Sequence, residues 1–254
     1  MPKSKPSESN TAYHAPALEK GLDILELLSS ALHPMGLSDI SQAVGRSKSE
    51  IFRMLHVLER RHYLERAPGT DNYLLTNRLF LLGMERPPLK GLLDVAMPMM
   101  HELSDATQQS CHLVVPSGES MVVIARIDPP ADLGLVVRIG HRRPLLAATS
   151  GLVLTAFQLP AVRQRWLDEY GETLSANACK ALVAQLDGIA ADGFAAIDSS
   201  VVPGVTDISA PVIQGGAASA ALTIPYMNRA GAPVARDRAG AILRATAQAI
   251  SQKI

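Results

Sequence analysis

The side chains that could act as nucleophiles or metal ligands are few in this sequence and poorly spaced for catalysis. Cys111 and His112 are adjacent, and neighbours on a strand point to opposite faces, so they cannot form a nucleophile–base pair. Ser150 stands in Thr-Ser-Gly and not in the Gly-x-Ser-x-Gly turn of serine hydrolases. Cys111, His112 and His141 leave a zinc site open as a minor alternative. Gly215-Gly216 is not followed by the Lys-Ser/Thr of a phosphate loop. We therefore expect no catalytic residue, no metal and no cofactor.

Residues 46–66, in contrast, have the side chains needed to bind a polyanion. This segment carries six lysines and arginines against three glutamates, in a chain whose formal net charge is zero. Free amides at the start of a helix bind phosphate, and an arginine side chain pairs with the edge of guanine. The segment therefore predicts double-stranded DNA as a partner. The predicted DNA-binding residues are Arg46, Ser47, Lys48, Ser49, Arg53, His56 and Arg66.

The pattern around this segment predicts the scaffold that presents it. Ser47 and Glu50 have the spacing of a capping box, and the apolar residues after them leave Arg53 and His56 facing outward. Two helices are predicted before it, and the residues after it have the signature of a β-hairpin. Three helices closed by a hairpin make a winged helix-turn-helix. The predicted elements are a first helix with the stripe Leu18, Leu22, Leu25 and Leu28, a second over 39–44 capped by Ser38 and ended by Gly45, and strands over 63–66 and 73–75.

The second half of the chain mixes hairpins with helices, which predicts an α+β domain with an antiparallel sheet flanked by helices. A long helix is expected over 89–109, helices over 148–191 and a last helix from about Val234 to the C-terminus. The expected strands cover 111–115, 121–127, 133–139, 194–198, 207–213 and 218–224, with a turn at Gly215-Gly216.

Composition narrows the class of protein further. Only two cysteines occur, which gives no disulfide framework and fits a reducing cytoplasm. The two long uncharged stretches, 144–162 and 208–228, contain prolines and glycines that would interrupt one spanning helix. We expect a cytoplasmic protein with no membrane partner.

With these elements in place, the sequence resembles the IclR family of bacterial transcription regulators. The resemblance spans about residues 15–250 in the family's order. Its N-terminal blocks are 17–25 (ALEKGLDIL), 37–40 (LSDI), 45–55 (GRSKSEIFRML) and 73–79 (YLLTNRL). Its later blocks are 140–151 (GHRRPLLAATSG), 193–195 (GFA), Gly204 and 209–212 (SAPV).

The resemblance implies a GAF-like effector domain, a homodimer or dimer of dimers, and control of a catabolic operon as repressor or activator. Effectors of this family are small metabolites, often carboxylates or aromatic acids, held between the sheet and the loop at Thr149-Ser150. Residues 1–14 are polar and rich in proline and serine, so we expect a disordered tail there. The predicted organisation of the remainder is a winged helix-turn-helix over 15–77, a linker helix over 78–88 and an effector-binding domain over 89–254.

The chain departs from the family at positions that the resemblance places in the pocket. Asp207 stands where a cysteine is frequent, and a desolvated aspartate repels a ligand carboxylate. Either a cation such as Arg126 neutralises Asp207, or the effector offers hydroxyl or amine donors, or Asp207 faces solvent. The predicted effector-binding residues are Arg126, His141, Thr149, Ser150, Asp207 and Thr223. Further departures are Leu152 in place of a lysine, Ser199 and Ser200 in place of acidic residues, and Thr223-Ile224-Pro225 in place of Ser-x-Ser.

Two other functions stay open. The helix-turn-helix of a ligand-binding protein can serve protein contact, in which case binding would not depend steeply on salt. An enzyme is the weaker alternative, because no catalytic constellation is found in the sequence.

Overall fold

The computed structural model describes residues 15–85, 87–130, 134–171, 174–228 and 234–254. The tail expected to be disordered, residues 1–14, lies outside the described residues. The chain divides into two compact units, one ending at Pro87 and one beginning at Pro88.

The first unit contains the predicted three helices and hairpin. The two short strands pair antiparallel, with Leu64 opposite Leu75. Gly45 ends the second helix at φ 67°, a left-handed conformation that glycine adopts without strain. The core of this unit is apolar and contains residues from the three predicted helices and from both strands of the hairpin. Its elements are α1 (Pro16–Ser30), α2 (Leu37–Val44), α3 (Lys48–Arg60), β1 (Leu64–Arg66), β2 (Tyr73–Leu75) and α4 (Arg78–Met84).

Two local predictions for this unit are wrong. The buried stripe of α1 contains Ile24 and Leu28, while Leu18 and Leu22 are 63% and 48% exposed. Ile24 and Leu28 are four residues apart and so share one face, and Leu18 and Leu22 lie on a neighbouring face. The second helix begins at Leu37 with Gly36 as its N-cap, so Ser38 is inside the first turn and does not cap it.

The second unit is built on one six-stranded sheet in the order β5-β4-β3-β8-β7-β6, antiparallel throughout. The fold-class prediction, α+β with a winged helix-turn-helix and a helix-flanked antiparallel sheet, is confirmed. The elements of the unit are α5 (Pro87–Thr107), β3 (Cys111–Ser117), β4 (Ser120–Ile127), β5 (Arg142–Pro144), a 3₁₀ turn (Leu145–Ala147), α6 (Thr149–Ala156), α7 (Pro160–Gly171), α8 (Ala176–Asp192), β6 (Ala195–Asp198), β7 (Val205–Gln214), β8 (Ala217–Met227) and α9 (Arg236–Ser251).

Helices cover both faces of this sheet. α6 packs against β7 and β8, and with α7 and α8 it forms one apolar core. α9 lies on the opposite face and packs against β7, where a Cβ atom at Gly240 would lie 3.6 Å from the Ile208 side chain. The α6 face of the sheet carries the polar row His112, Thr223 and Ser209, because each is the direct cross-strand partner of the next.

The strand predicted over 133–139 is wrong. Leu133 lies outside the described residues, residues 134–139 have no regular structure, and the edge strand is instead the short β5. The hydroxyl group of Ser110 hydrogen-bonds the carbonyl of Leu135 and holds this segment beside the sheet. The predicted turn at Gly215-Gly216 is confirmed, with φ angles of 61° and 82°.

Among the described residues, none of the helices combines the length and the apolar character needed to cross a membrane.

Candidate functional sites

The exposed face of α3 carries the first cluster of functional side chains. Ile51 and Leu55 are fully buried, so the helix presents its opposite side to solvent. Of the seven predicted DNA-binding residues, Arg46, Ser47, Lys48, Ser49, Arg53 and His56 are all exposed and lie on α3 or the turn before it. Phe52, which the sequence reasoning missed, is 51% exposed on the same helix.

The N-terminus of α3 is held in place by Glu50. Its Oε2 atom accepts hydrogen bonds from the Ser47 amide at 3.2 Å and the Ser47 hydroxyl at 2.6 Å, which includes the back-reaching contact of the predicted capping box. Its Oε1 atom lies 2.5 Å from Lys20 Nζ. The hydrogen bond from Lys20 and those from Ser47 lower the pKa of Glu50 to about 2. Ser47 therefore directs its hydroxyl proton to Glu50, which makes it a positioning residue as well as a predicted phosphate contact.

The structure gives Arg66 a role other than the predicted DNA contact. Its guanidinium bonds Glu59 Oε1 at 3.0 Å, Asp71 Oδ1 at 2.6 Å and the Tyr73 hydroxyl at 3.1 Å. It also lies over the Tyr73 ring at 5.2 Å. These contacts join the hairpin to α3, use three of the five guanidinium N–H donors and place two carboxylates beside the charge of Arg66. A DNA contact by Arg66 stays a prediction, and we leave it out of the proposed interface.

The second cluster surrounds a cavity of about 270 Å³ on the α6 face of the sheet. We call it the α6 cavity. Its floor comes from β3, β7 and β8, one wall from the N-terminus of α6, and other walls from the segments 135–143 and 199–202. Its polar and charged lining residues are His112, Arg138, His141, Arg143, Thr149, Ser150, Ser199, Asp207 and Thr223.

Five of the six predicted effector residues thus line one cavity, although whether they bind an effector stays a prediction. Arg126 is the exception. It lies opposite His112 in the β3–β4 ladder, but its Nε atom pairs with Asp128 Oδ1 at 3.1 Å and it is not part of the cavity lining.

The N-terminus of α6 points hydroxyl groups into this cavity. Thr149 and Ser150 are 8% and 3% exposed, and among the described residues no hydrogen bond of either hydroxyl group is found. The N-cap residue is Ala148, which offers no side-chain cap, so the first amides of the helix are left to other acceptors. Gly151 lets this turn pack closely, because a Cβ atom there would lie 2.0 Å from the Leu145 carbonyl oxygen.

His112 is the buried polar residue of the cavity floor. It is 5% exposed, and its Nδ1 atom is buried without a hydrogen-bond partner among the described residues. Burial, and then the nearby His141, lower its pKa to about 4. Its imidazole is therefore neutral at neutral pH. Cys111 points to the opposite face, where its Sγ atom lies 3.4 Å from the Met100 carbonyl.

Asp207 lies in the cavity and not at a solvent-facing strand end. Burial raises the pKa of its carboxyl group, while a hydrogen bond from Ser199 and the charge of Arg143 oppose that rise. The cation near Asp207 is therefore Arg143 and not Arg126. Arg143 also donates to the Ala147 carbonyl at 2.9 Å and to the Ser200 hydroxyl at 3.2 Å, which links the start of α6 to the 199–202 segment.

The sequence reasoning missed His112 and Arg143 as cavity residues. His112 had a usable signal, since it alternates with Cys111 on a predicted strand, whereas its pairing with Thr223 is visible only in the structure. Arg143 had a weaker one, its place in the 140–151 block. Within the described parts of the chain, no three His, Cys, Asp or Glu side chains gather closely enough to hold a metal ion.

Comparison with known proteins identifies the family. The model of the bacterial transcriptional regulator IclR C-terminal region matches residues 90–252, and that of the IclR helix-turn-helix domain matches residues 17–68. The chain belongs to the IclR family. Its members are DNA-binding transcription regulators and not enzymes.

Individual relatives agree with this membership. The HTH-type transcriptional regulator KdgR of Escherichia coli is 29% identical over 197 residues, which cover 76% of this chain and 75% of KdgR. HmgR of Pseudomonas aeruginosa is 28% identical with a TM-score of 0.74, covering 94% of this chain and 99% of HmgR. An IclR homolog of Microbacterium hydrocarbonoxydans, solved in complex with 4-hydroxybenzoate, is 23% identical with a TM-score of 0.77; 93% of this chain and 98% of the homolog are covered, and the likeness shows the shared fold.

Proposed function

We propose that this IclR-family protein regulates a catabolic operon in response to a small organic effector, binding operator DNA through α3 and the effector in the α6 cavity. The observation that carries the first half is the exposed basic face of α3. A recognition helix needs one face for the core and the other for the major groove. Arg53 and His56 are exposed where base edges would lie, and Arg46 and Lys48 flank the helix start, where phosphate would lie. The DNA of a bacterium lies in the cytoplasm, where we place the protein.

Support for the effector half comes from the cavity. It brings together His141, Thr149, Ser150, Asp207 and Thr223 from separate segments of the chain. Concave pockets with a few converging polar groups are the usual form of small-molecule sites. We add His112 and Arg143 to the proposed effector-binding residues. The Microbacterium homolog of the same fold was solved with the aromatic acid 4-hydroxybenzoate, which supports a carboxylate or aromatic ligand.

We further propose that the protein acts as a homodimer or dimer of dimers. Leu79, Phe80, Leu81 and Leu82 of α4 are each 39–61% exposed. Contiguous exposed apolar side chains of this kind mark interaction surfaces. The proposed organisation is a winged helix-turn-helix over 15–77, a linker over 78–88 whose helical part is α4 (Arg78–Met84), and an effector domain over 89–254. We propose that α4 couples the two domains and pairs with a second copy.

The experiment that tests DNA binding measures the affinity of the purified protein for operator DNA, selected from a random duplex library, at several salt concentrations. We expect steep weakening as salt rises, because phosphate contacts release counterions. Arg53→Ala should weaken operator binding and relax sequence preference. Arg165→Ala is the matched control, since Arg165 is an equally exposed arginine on α7. A flat salt response, or unchanged affinity in Arg53→Ala, would favour a helix-turn-helix used for protein contact.

A further inference from the structure

We propose that the ligand of the α6 cavity is a small hydroxylated carboxylate, and that Asp207 and His112 select it through its hydroxyl group. This inference rests on the proposed effector function and adds the chemical class of the ligand. Two ends of the cavity carry different chemistry, and each end constrains one group of the ligand.

The anionic end is the start of α6. Its free amides and the positive end of the helix dipole favour a negative group. Ser150 is 3% exposed and Thr149 is 8% exposed, and no hydrogen bond of either hydroxyl group is found among the described residues. Arg143 lines the same cavity beside them and is bonded to the Ala147 carbonyl just before the helix. A carboxylate fits this set of donors.

The other end requires a hydrogen-bond donor. An ionised carboxylate such as that of Asp207 only accepts hydrogen bonds, and it has about four lone-pair sites. Among the described residues, Ser199 is the one neighbouring hydroxyl that lowers the pKa of Asp207, and one such donor leaves Asp207 with accepting capacity inside the cavity. A second carboxylate beside Asp207 would repel it in a partly desolvated site, which places the ligand's own carboxylate at α6.

The donor that fits is a hydroxyl and not an ammonium group. Arg138 and Arg143 line the cavity, against the single acid Asp207 among its lining residues, so a cationic ligand would meet a net positive site. His112 supports the same choice. Its pKa of about 4 keeps the imidazole neutral, with one N–H donor and one acceptor nitrogen. Its Nδ1 atom has no hydrogen-bond partner among the described residues, and a ligand hydroxyl group has both a proton to donate to such a nitrogen and lone pairs to accept from it.

The volume gives the size of the part of the ligand that the cavity holds. A cavity of about 270 Å³ holds about nine water molecules at roughly 30 Å³ each. The lining also includes the apolar side chains of Met121, Val137 and Pro225, which suit the carbon skeleton between the two polar ends. A hydroxylated acid of roughly ten non-hydrogen atoms meets these limits.

Calorimetric titration of the full-length protein tests this inference with matched ligands. The panel is benzoate with 3- and 4-hydroxybenzoate, and butyrate with 3- and 4-hydroxybutyrate. We expect at least one hydroxylated member to bind about tenfold or more tightly than its parent acid. A site with unpaired polar groups discriminates against a ligand that lacks the hydroxyl group. Asp207→Ala should reduce this ratio to near one, and Asp207→Asn, which keeps the side-chain shape, should improve binding of the parent acids.

Asp198→Asn is the control. Asp198 is an exposed acid of β6 that accepts a hydrogen bond from the Thr206 hydroxyl at 2.8 Å and does not line the α6 cavity. The affinity ratio of hydroxylated to parent acids in Asp198→Asn should therefore match that of the wild type. Equal affinities for parent and hydroxylated acids, or an affinity ratio that is unchanged in Asp207→Ala, would overturn the inference. Neither result would contradict the proposal that the cavity binds an effector. Binding of no panel member by the wild type or either Asp207 variant overturns both the inference and the proposed effector cavity.

Discussion

Lys20 Nζ lies 2.5 Å from Glu50 Oε1, so a side chain of α1 fixes the N-terminus of α3. The other oxygen of Glu50 accepts from the Ser47 amide and hydroxyl. One carboxylate thus connects the first helix of the unit to the turn that enters the proposed recognition helix. The orientation of Arg53 and His56 depends on this connection.

Replacing Glu50 should make the first unit less stable in a pH-dependent way. The folded protein holds the pKa of Glu50 at about 2, below the ordinary 4.5, so the contribution is present above pH 4.5 and is lost as pH falls towards 2. Glu50→Gln should therefore unfold at a lower urea concentration than the wild type at pH 7. This difference between the two midpoints should shrink below pH 4.5. Circular dichroism of the full chain in urea measures it. The exposed Glu26→Gln on α1 should behave as the wild type, and a deficit independent of pH would contradict the assignment.

The buried His112 should make the second unit sensitive to acid. Its folded pKa is about 4, so between pH 6.5 and 4 the unfolded chain binds the extra proton and stability falls as pH falls. The loss amounts to roughly 3 kcal/mol, from 1.36 kcal/mol per pKa unit. The fluorescence of the buried Trp166 reports unfolding of this unit. His112→Phe should flatten the pH dependence, whereas the exposed His101→Asn should leave the slope intact; equal slopes in wild type and His112→Phe would refute this.

Two glycines of the second unit should respond oppositely to alanine. A Cβ atom at Gly151 would lie 2.0 Å from the Leu145 carbonyl oxygen. This oxygen belongs to the backbone, so it cannot move aside without displacing the chain. Gly151→Ala should cost about 1–3 kcal/mol and displace the start of α6, weakening ligand binding as well. Gly188, inside α8, has nothing within 4 Å of that position. Gly188→Ala should stabilise by about 0.5–1 kcal/mol, and the Trp166 transition in urea measures both. A neutral Gly151→Ala would show that α6 packs less closely on this turn.

Alanine variants of Arg66 and Lys48 should distinguish a residue that stabilises the fold from a residue that contacts DNA. Lys48→Ala should reduce the slope of log affinity against log salt by about 0.9, the value for one phosphate contact on duplex DNA. Arg66→Ala should leave that slope unchanged but lower the stability of the hairpin, because it removes three hydrogen bonds. A reduced slope in Arg66→Ala would restore the sequence-based prediction of a DNA contact.

The sequence alone predicted the structural features that depend on residues close together in the chain. The capped helix after Ser47, the hairpin and the turn at Gly215-Gly216 each depend on residues close in sequence, and each was found. The failures depend on tertiary contacts. The apolar residues of 133–139 suggested a strand, but residues 134–139 pass over the α6 cavity instead of pairing. Of the predicted stripe of α1, Leu28 is buried, but Leu18 and Leu22 are exposed and Ile24 packs in the core instead.

The residues of the candidate site also divide into those that local sequence pattern predicts and those that depend on tertiary contacts. Thr149, Ser150 and Asp207 were predicted, because they stand in recognisable blocks. Their partners could not be predicted, since the charge near Asp207 comes from Arg143, 64 positions earlier in the chain, across segments that only the fold brings together. Arg126 was the plausible cation in sequence, but Asp128, two residues away, pairs with it.

The central claim is that ligand binding in the α6 cavity changes DNA binding through α3. It is tested most directly by measuring operator affinity with and without a saturating hydroxylated carboxylate from the panel. Coupling between two sites of one regulator changes affinity by about 5- to 150-fold, so we expect a change of at least about fivefold, and the same factor for ligand affinity with and without operator. Operator affinity that stays constant while the ligand saturates the cavity would contradict the account.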